Sequence, residues 1–158
     1  MVYDMNVLVF SDTHGHIDEC IQIIRQTECV SALIHAGDHV DDAKELADTF
    51  KNIPCLCVSG NNDLFSREPN DKLVVLGGKN VFITHGHLYG VRQSRQTLAH
   101  HAKSLGAELV IYGHTHQPCD EYINGIHVIN PGTMGFYPRT YASLCIEDDK
   151  ISTKIIRL

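Results

Sequence analysis

The chain has 158 residues, 43% of them hydrophobic, so it is long enough to bury a core and fits a single domain over residues 1–158. Its formal charge of −6, with no run of Lys or Arg, argues against binding to long nucleic acid and favours a small substrate. Residues 1–10 hold too short an apolar run for an export signal or a membrane span, which predicts a cytoplasmic protein with no membrane partner.

The cysteines are predicted to be reduced and buried. Their even number would allow disulfides, but there is no Cys-x-x-Cys pair and most of them lie in apolar runs. Buried thiols of a cytoplasmic protein fit this pattern better. The cysteines are Cys20, Cys29, Cys55, Cys57, Cys119 and Cys145.

Strands and helices alternate through the first two thirds of the chain. Apolar runs predict strands at residues 5–10, 32–35, 55–58, 72–76, 80–84 and 109–112. Apolar residues at helical spacing predict helices around residues 17–24, 43–50 and 93–105. Asp42 and Glu45 would form a capping box at the start of the second helix, and Gly106 would close the third.

The last third is predicted to be antiparallel β-structure. Asn124-Gly125 favours a type I′ turn and predicts a hairpin over residues 121–129. A second hairpin would pair residues 142–147 with residues 151–156. We therefore expect an α/β protein whose C-terminal β meander packs as a second sheet.

Oxygen and imidazole donors follow the predicted strands in five short segments. Functional groups of α/β proteins gather beyond the carboxyl ends of the strands, so these segments can converge. Such donors, without a thiolate, suit divalent Mn, Fe, Co, Ni or Zn used for hydrolysis. The segments are Ser11-Asp12-Thr13-His14, His35-Ala36-Gly37-Asp38, Gly60-Asn61-Asn62-Asp63, Thr84-His85-Gly86-His87 and Gly113-His114-Thr115-His116.

In their order and spacing the five segments resemble the motifs of the calcineurin-like metallophosphoesterases, above all the small single-domain phosphodiesterases of the YfcE type. The resemblance covers nearly the whole chain and implies a single domain over residues 1–158. It implies a two-sheet β-sandwich flanked by helices, in four αββα layers.

The resemblance also implies two divalent metal ions, with Mn favoured over Ni, Co, Fe or Zn. The first ion would be held by Asp12, His14, Asp38 and His116. The second would be held by Asp38, Asn61, His85 and His114, with Asp38 bridging the two. Two divalent ions and only two carboxylates leave an excess positive charge that suits a phosphate ester. The implied reaction is phosphodiester hydrolysis through a metal-bridging hydroxide.

The chain departs from the larger phosphatases of the superfamily at two positions. Asn62 stands where they carry a His that protonates the leaving group, and Asp42 stands where they carry a phosphate-binding Arg. Asn cannot act as a general acid at neutral pH, and both changes favour diesters over dianionic monoesters. His87, two residues beyond His85, is a candidate donor of the missing proton.

Other polar residues have simpler interpretations. We expect His35 and Asp63 to support the site without binding metal, and Asp41 and Asp42 to cap the following helix. Solvated surfaces are expected for His16, His100, His101 and His127. Arg92 and Arg95 are candidates for contact with a phosphate, but a solvated helix face is the preferred interpretation of both.

Other functions remain open at this stage. A retromer subunit within the family uses the same fold as a protein-binding scaffold with a degenerate metal centre, and the full set of candidate ligands argues against that role. Nuclease activity and phosphomonoesterase activity are two further alternatives. The sequence is also compatible with a homo-oligomer.

Overall fold

Two five-stranded sheets and three flanking α-helices make up the part of the chain that the structure, a computed structural model, describes: residues 4–158. From one edge to the other, the strands of the first sheet are Lys150–Arg157, Thr140–Glu147, Met5–Phe10, Val30–His35 and Cys55–Cys57. Those of the second are Asp71–Leu76, Lys79–Thr84, Leu109–Ile111, Ile126–Asn130 and Cys119–Ile123. Apolar side chains of both sheets, such as Val9, Ile34, Ile83 and Ile111, meet in a core between them. The predicted two-sheet sandwich is confirmed.

The strands of the first sheet are β1 (Met5–Phe10), β2 (Val30–His35), β3 (Cys55–Cys57), β9 (Thr140–Glu147) and β10 (Lys150–Arg157). Those of the second are β4 (Asp71–Leu76), β5 (Lys79–Thr84), β6 (Leu109–Ile111), β7 (Cys119–Ile123) and β8 (Ile126–Asn130). Within each sheet the strands that precede the motif segments are parallel: β1, β2 and β3 in the first, β5 and β6 in the second.

The prediction that the C-terminal β meander forms the second sheet is wrong. The hairpin β9–β10 pairs antiparallel with β1 in the first sheet, whereas β8 pairs parallel with β6 in the second. The cause is that β1 is buried over Val7–Phe10 and lies inside its sheet, so it needs a hydrogen-bonded neighbour on each edge.

Helices α1 (Asp18–Gln26) and α2 (Val40–Thr49) pack on the outer face of the first sheet, and α3 (Gln96–Ser104) packs on that of the second. The predicted capping box is wrong, because α2 begins at Val40 and Asp42 lies inside its first turn. Gly106 does follow α3 with φ of 78°, the left-handed conformation expected after a helix.

The expectation that the cysteines are reduced and buried has a mixed outcome. All six cysteines are free thiols, and Cys20 and Cys57 are buried, but Cys29 is exposed, against expectation. Among residues 4–158, no helix is long and apolar enough to cross a membrane.

Candidate metal centre

The five motif segments meet at one edge of the sandwich. Each begins at the carboxyl end of a strand, after β1, β2, β3, β5 and β6. Because these strands are parallel within each sheet, their carboxyl ends point the same way, and the loops of both sheets face each other. The predicted convergence therefore follows from topology.

All seven residues predicted to bind metal come together there. Nε2 of His116 lies 3.1 Å from Oδ1 of Asp12, and Nε2 of His85 lies 3.8 Å from the same oxygen. Asp38 faces both sides of the site, with Oδ2 3.9 Å from Nε2 of His14 and Oδ1 3.5 Å from Nε2 of His85.

Asn61 completes the group on the side of the second sheet. Its Oδ1 lies 3.1 Å from Nε2 of His85 and 3.0 Å from Nδ1 of His114. Donor atoms about 2.1 Å from one ion lie about 3 Å apart when their bonds meet at right angles. The spacing of these three atoms therefore suits one shared cation.

The donor atoms of His85 and Asn61 support a cation independently of that spacing. Nδ1 of His85 lies 2.7 Å from the carbonyl oxygen of Ala36, and only an N–H can make that hydrogen bond. In a neutral ring Nε2 then carries a lone pair, which faces the amide oxygen of Asn61. A cation between these two acceptors would satisfy both, and the hydrogen bond to the carbonyl of Ala36 orients the ring for it.

His14 gives a second sign of the same kind. Its Nε2 atom is buried and has no hydrogen-bond partner, although buried polar atoms are nearly always paired. Two clusters of acidic and imidazole donors are compact enough for metal ions: Asp12 with His14 and His116, and Asp12 with Asp38 and His85. The residues fit two divalent ions. Asp12 belongs to both clusters, so Asp38 as the bridging residue stays a prediction.

The backbone of the site is strained. Five of the seven candidate ligands have positive φ, a conformation that is costly outside glycine and concentrates at functional sites. They are Asp12 (51°), His14 (46°), Asp38 (60°), His114 (66°) and His116 (59°). Gly60 and Gly113 let the loops approach closely, because a Cβ there would collide with the carboxylates of Asp38 and Asp12 respectively.

Asp12 is the most heavily supported carboxylate. Its Oδ2 accepts hydrogen bonds from the hydroxyl of Ser11 at 2.5 Å and from the backbone N–H of His114 at 3.1 Å. Burial opposes its ionisation, but hydrogen bonds, that of His116 first, hold its pKa below the ordinary value. The contact raises the pKa of His116. Asp12 is thus an anion at neutral pH.

The imidazole ring of His114 is uncharged at neutral pH. Burial, followed by the nearby His85 and Arg92, lowers the pKa of His114 to about 4. Metal ligands must be deprotonated, and a neutral ring meets that condition. Because Nε2 of His114 accepts a hydrogen bond from Nε of Arg92, the proton of the neutral ring lies on Nδ1. Binding of an ion at Nδ1 would therefore require a change of tautomer and release of Arg92.

Asn62, at the position where relatives carry the acidic His, and His87, the candidate proton donor, both lie beside the centre. The side-chain amide of Asn62 donates to Oδ2 of Asp38 at 2.6 Å, and its backbone N–H donates to Oδ1 at 3.0 Å. His87 stacks at an angle on His85, 5.4 Å between ring centroids, and its buried Nδ1 has no partner. Burial first, and then the neighbouring His85, lowers the pKa of His87, which leaves the ring neutral at pH 7, without the acidic proton that a general acid needs.

A buried hydrogen-bonded chain supports the Asp12–His14 segment from behind. Thr13 donates to Asp42 at 2.6 Å and lies 2.9 Å from Nε2 of His35. The same carboxylate accepts the backbone N–H of Gly15 at 2.8 Å. His35 is therefore a supporting residue, as expected. Asp42 holds a loop instead of capping a helix, and its charge faces backbone instead of substrate.

Other sequence interpretations fare unevenly. Asp63 accepts the backbone N–H groups of Val40 at 2.9 Å and Gly60 at 2.8 Å, as expected for a supporting residue. His16 and His100 are exposed, but the surface assignment is wrong for His127, which is 5% exposed and paired with Asp120 at 2.6 Å.

Arg92 lies against the centre and not on the solvated helix face that the sequence interpretation preferred. It precedes α3 instead of lying on it, because a short 3₁₀ turn and a loop occupy the preceding residues. Its Nε donates to Nε2 of His114 at 3.0 Å, and Nη2 lies 3.4 Å from the carbonyl oxygen of His114. Arg95, by contrast, pairs with Glu121 at 2.8 Å, away from the candidate ligands.

Known proteins resemble the chain over nearly its whole length. The profile of the calcineurin-like phosphoesterase superfamily domain matches residues 5–149. The probable metallophosphoesterase YsnB of Bacillus subtilis is 33% identical, over 95% of the chain and 89% of that protein. The phosphodiesterase MJ0936 of Methanocaldococcus jannaschii is 34% identical, over 81% of the chain and 83% of that protein.

Solved structures share the fold. A Streptococcus pneumoniae protein described as a predicted phosphoesterase superposes with a TM-score of 0.81 at 26% identity, over 99% of this chain and 91% of that one. Vacuolar protein sorting 29 from Cryptosporidium parvum superposes with a TM-score of 0.77 at 18% identity, over 99% and 98% of the two chains. The second likeness shows the fold alone.

Proposed function

The chain belongs to the calcineurin-like phosphoesterase superfamily, and on that premise we propose that it is a dinuclear metal-dependent phosphodiesterase acting on small phosphoesters in the cytoplasm. The observation that carries the proposal is the convergence of seven oxygen and imidazole donors at one edge of the sandwich, where the buried Nε2 of His14 has no hydrogen-bond partner. The 34% identity to a protein named as a phosphodiesterase supports the diester specificity.

The proposed ligands divide between two ions, with Mn²⁺ as the proposed metal. Asp12, His14, Asp38 and His116 would hold one ion, and Asp38, Asn61, His85 and His114 would hold the other. Bound divalent ions lower the pKa of water and neutralise charge on phosphate oxygens, which is the chemistry that they would supply. The two carboxylates do not cancel that charge, because five of the seven donors are neutral.

The chain's own residues then fix the site before substrate arrives. The carbonyl of Ala36 orients His85, Asn62 holds both oxygens of Asp38, and Ser11 holds Asp12. Preorganised donors and charges stabilise a transition state without reorganising during the reaction. This explains why strained backbone is tolerated at the ligands.

Arg92 is the proposed phosphate-binding residue. The position at which larger phosphatases carry Arg is Asp42, and that carboxylate is buried against Thr13 and Gly15. Arg92 supplies a guanidinium from another segment, already 3.0 Å from the candidate ligand His114. A guanidinium there can donate two hydrogen bonds to the phosphate oxygens of a diester.

The decisive experiment is hydrolysis by the purified protein of a panel of diesters, monoesters and cyclic nucleotides, with and without Mn²⁺. Metal-dependent turnover that favours diesters supports the proposal. A protein that binds two ions and hydrolyses none of the panel would instead favour the scaffold alternative.

A further inference from the structure

Two exposed aromatic side chains stand beside the candidate metal centre. Phe136 is 51% exposed and Tyr137 is 84% exposed, although aromatic rings are normally covered in a soluble protein. Both follow directly after Gly135, whose N–H donates to the carbonyl oxygen of Asp12 at 2.9 Å. An apolar surface is therefore built next to a site made of charges and imidazoles.

Phe136 connects this surface to the ligands. Its ring stacks on His116 with centroids 5.2 Å apart and an interplanar angle of 18°, and it lies 5.1 Å from the ring of His14. Phe136 packs on both imidazole rings and still exposes about half of its surface. A group bound to the metal ions would thus lie next to an exposed aromatic ring.

The aromatic pair forms part of a pocket of about 500 Å³ that reaches the centre at His116. The pocket is mostly apolar, and its volume falls within the range of small-molecule sites, roughly 300–1,000 Å³. Its apolar lining is Pro118, Phe136, Tyr137, Pro138 and Ile155, and its polar margin includes Gln117 and Arg157.

The loop that carries the pair is anchored at both ends. On one side, the hydroxyl of Thr133 donates to the carbonyl oxygen of Asp12 at 2.8 Å. On the other side, Thr140 closes the loop with two hydrogen bonds. Its backbone N–H donates to the carbonyl oxygen of Thr133 at 3.0 Å, and its hydroxyl donates to the carbonyl oxygen of Pro131 at 2.7 Å. The backbone of the loop is thus held in place before a ligand arrives, which reduces the entropy lost on binding.

We infer that this pocket binds a planar aromatic or heteroaromatic group esterified to the phosphate of the substrate. The inference rests on the proposed function and names the substrate class of the same site. Stacking on Phe136 and Tyr137 would supply affinity, and the donors of Gln117 and Arg157 would favour a ring that carries hydrogen-bond acceptors, as a nucleobase does.

Non-hydrolysable phosphonates test this without depending on which ester bond breaks. Phenylphosphonate and methylphosphonate present the same anion to the metal ions and differ in the ring. Their dissociation constants are measured by calorimetry on the Mn²⁺-loaded protein. We expect phenylphosphonate to bind about tenfold more tightly, as one aromatic contact with its buried area warrants.

Variants then locate the effect. Tyr137→Ala, and Phe136→Leu as a variant that keeps apolar packing on the histidines, should each reduce the preference for the ring to about threefold or less. Methylphosphonate affinity and metal content should stay unchanged, which separates a lost pocket from a damaged centre. Phe65→Ala is the matched control, since this ring is 98% exposed and lines a different pocket.

The outcomes are distinguishable. A preference for the ring that is absent from the wild type, or that survives both variants, overturns the pocket while leaving the phosphodiesterase intact. Failure of both phosphonates to bind, together with no hydrolysis of any diester, overturns the proposed function and the pocket with it.

Discussion

Nε of Arg92 donates a hydrogen bond to Nε2 of His114 across 3.0 Å, so a guanidinium is held against a candidate metal ligand. The chain has Asp42 where larger phosphatases carry their phosphate-binding Arg, and the carboxylate of Asp42 is turned inward. In this chain the guanidinium at the edge of the site belongs to the loop of Arg92, and position 42 carries a carboxylate.

Substitution Arg92→Ala should lower kcat/KM for an aryl phosphodiester roughly 10- to 100-fold. A charge-assisted hydrogen bond is worth about 1.5–3 kcal/mol, and the loss should be expressed largely in KM if Arg92 binds substrate. Steady-state kinetics with metal analysis of each preparation checks this.

Arg95→Ala is the matched control, because Arg95 pairs with Glu121 and contacts no candidate ligand. Its kinetics should stay within about twofold of wild type, as for most surface substitutions. Equal losses of kcat/KM in the two variants would mean that the losses come from the change in net charge and not from removal of a guanidinium that binds the substrate.

Removal of metal should abolish hydrolysis. Chelation should eliminate turnover of an aryl phosphodiester, and Mn²⁺ should restore it. The reason is that none of the five motif segments has the sequence pattern of a Ser or Cys nucleophile. Elemental analysis should give two ions per chain. Full activity with only one tightly bound ion would contradict the dinuclear assignment.

Asp38→Asn should reduce activity more than loss of a single terminal ligand such as His14. The two oxygens of Asp38 face opposite sides of the site, toward His14 and His85, so the substitution weakens both metal positions. Asp41→Asn serves as the control, because that carboxylate is exposed and pairs with Lys44. Wild-type rates in Asp38→Asn would show that the ligand assignment is wrong.

The centre was largely predictable from the sequence. Metal-binding side chains that follow apolar runs predict a shared edge, because parallel strands present their carboxyl ends together. The partition of strands between sheets was not predictable in this way. Nothing local in residues 140–157 states that β9 pairs with β1, more than 130 positions away, because that choice depends on which edge of β1 needs hydrogen bonds.

Two features of the site needed the three-dimensional structure. Helical spacing suggested that Arg92 lies on a helix, but the helix begins at Gln96 and the preceding loop turns Arg92 toward His114. Phe136-Tyr137 shows no apolar periodicity, and its place beside His116 depends on contacts of its loop with Asp12. The usable signal was two adjacent aromatic residues in a turn, where core residues are not expected.

Acidification should weaken the metal-free protein through His35. Burial lowers the pKa of His35 from 6.5 to about 4, so protonation favours the unfolded chain. The stabilisation is fully present above pH 6.5 and is lost as the pH falls from 6.5 toward 4, by about 3 kcal/mol in total. Urea unfolding of chelated protein between pH 7.5 and 4.5 measures the slope.

His35→Gln should flatten that slope while lowering stability at neutral pH, because a neutral amide cannot be protonated in this range. His100→Gln, at an exposed position, should leave the slope unchanged. A slope that is identical in wild type and His35→Gln would assign the acid sensitivity to other groups.

Diesters should be turned over more efficiently than monoesters of the same leaving group. A monoester dianion meets no Arg at position 42 and no acidic His at position 62, whereas a diester carries one charge less. The comparison is kcat/KM for 4-nitrophenyl phosphate and for a matched 4-nitrophenyl diester at saturating Mn²⁺. A clear preference for the monoester would refute the assignment.

The leaving group should depart from wild-type enzyme with little proton assistance. The side-chain amide of Asn62 is hydrogen-bonded to Asp38 and has no acidic proton, and the lowered pKa of His87 leaves its ring unprotonated, so neither side chain supplies a proton at neutral pH. Rates on a series of phenyl phosphodiesters should therefore fall steeply as the pKa of the leaving phenol rises.

Asn62→His would place a candidate acid beside the centre. Asp41 lines the same pocket as Asn62 and could hold the new ring. General acid catalysis typically raises rates by about 10²–10⁴-fold, but the new ring loses the hydrogen bond that the side-chain amide of Asn62 donates to Asp38. We therefore expect a rate increase of about tenfold on esters with poor leaving groups and little change on nitrophenyl esters. Metal content must match in both proteins for the comparison to hold. An equally steep dependence in wild type and variant would mean that position 62 does not face the leaving oxygen.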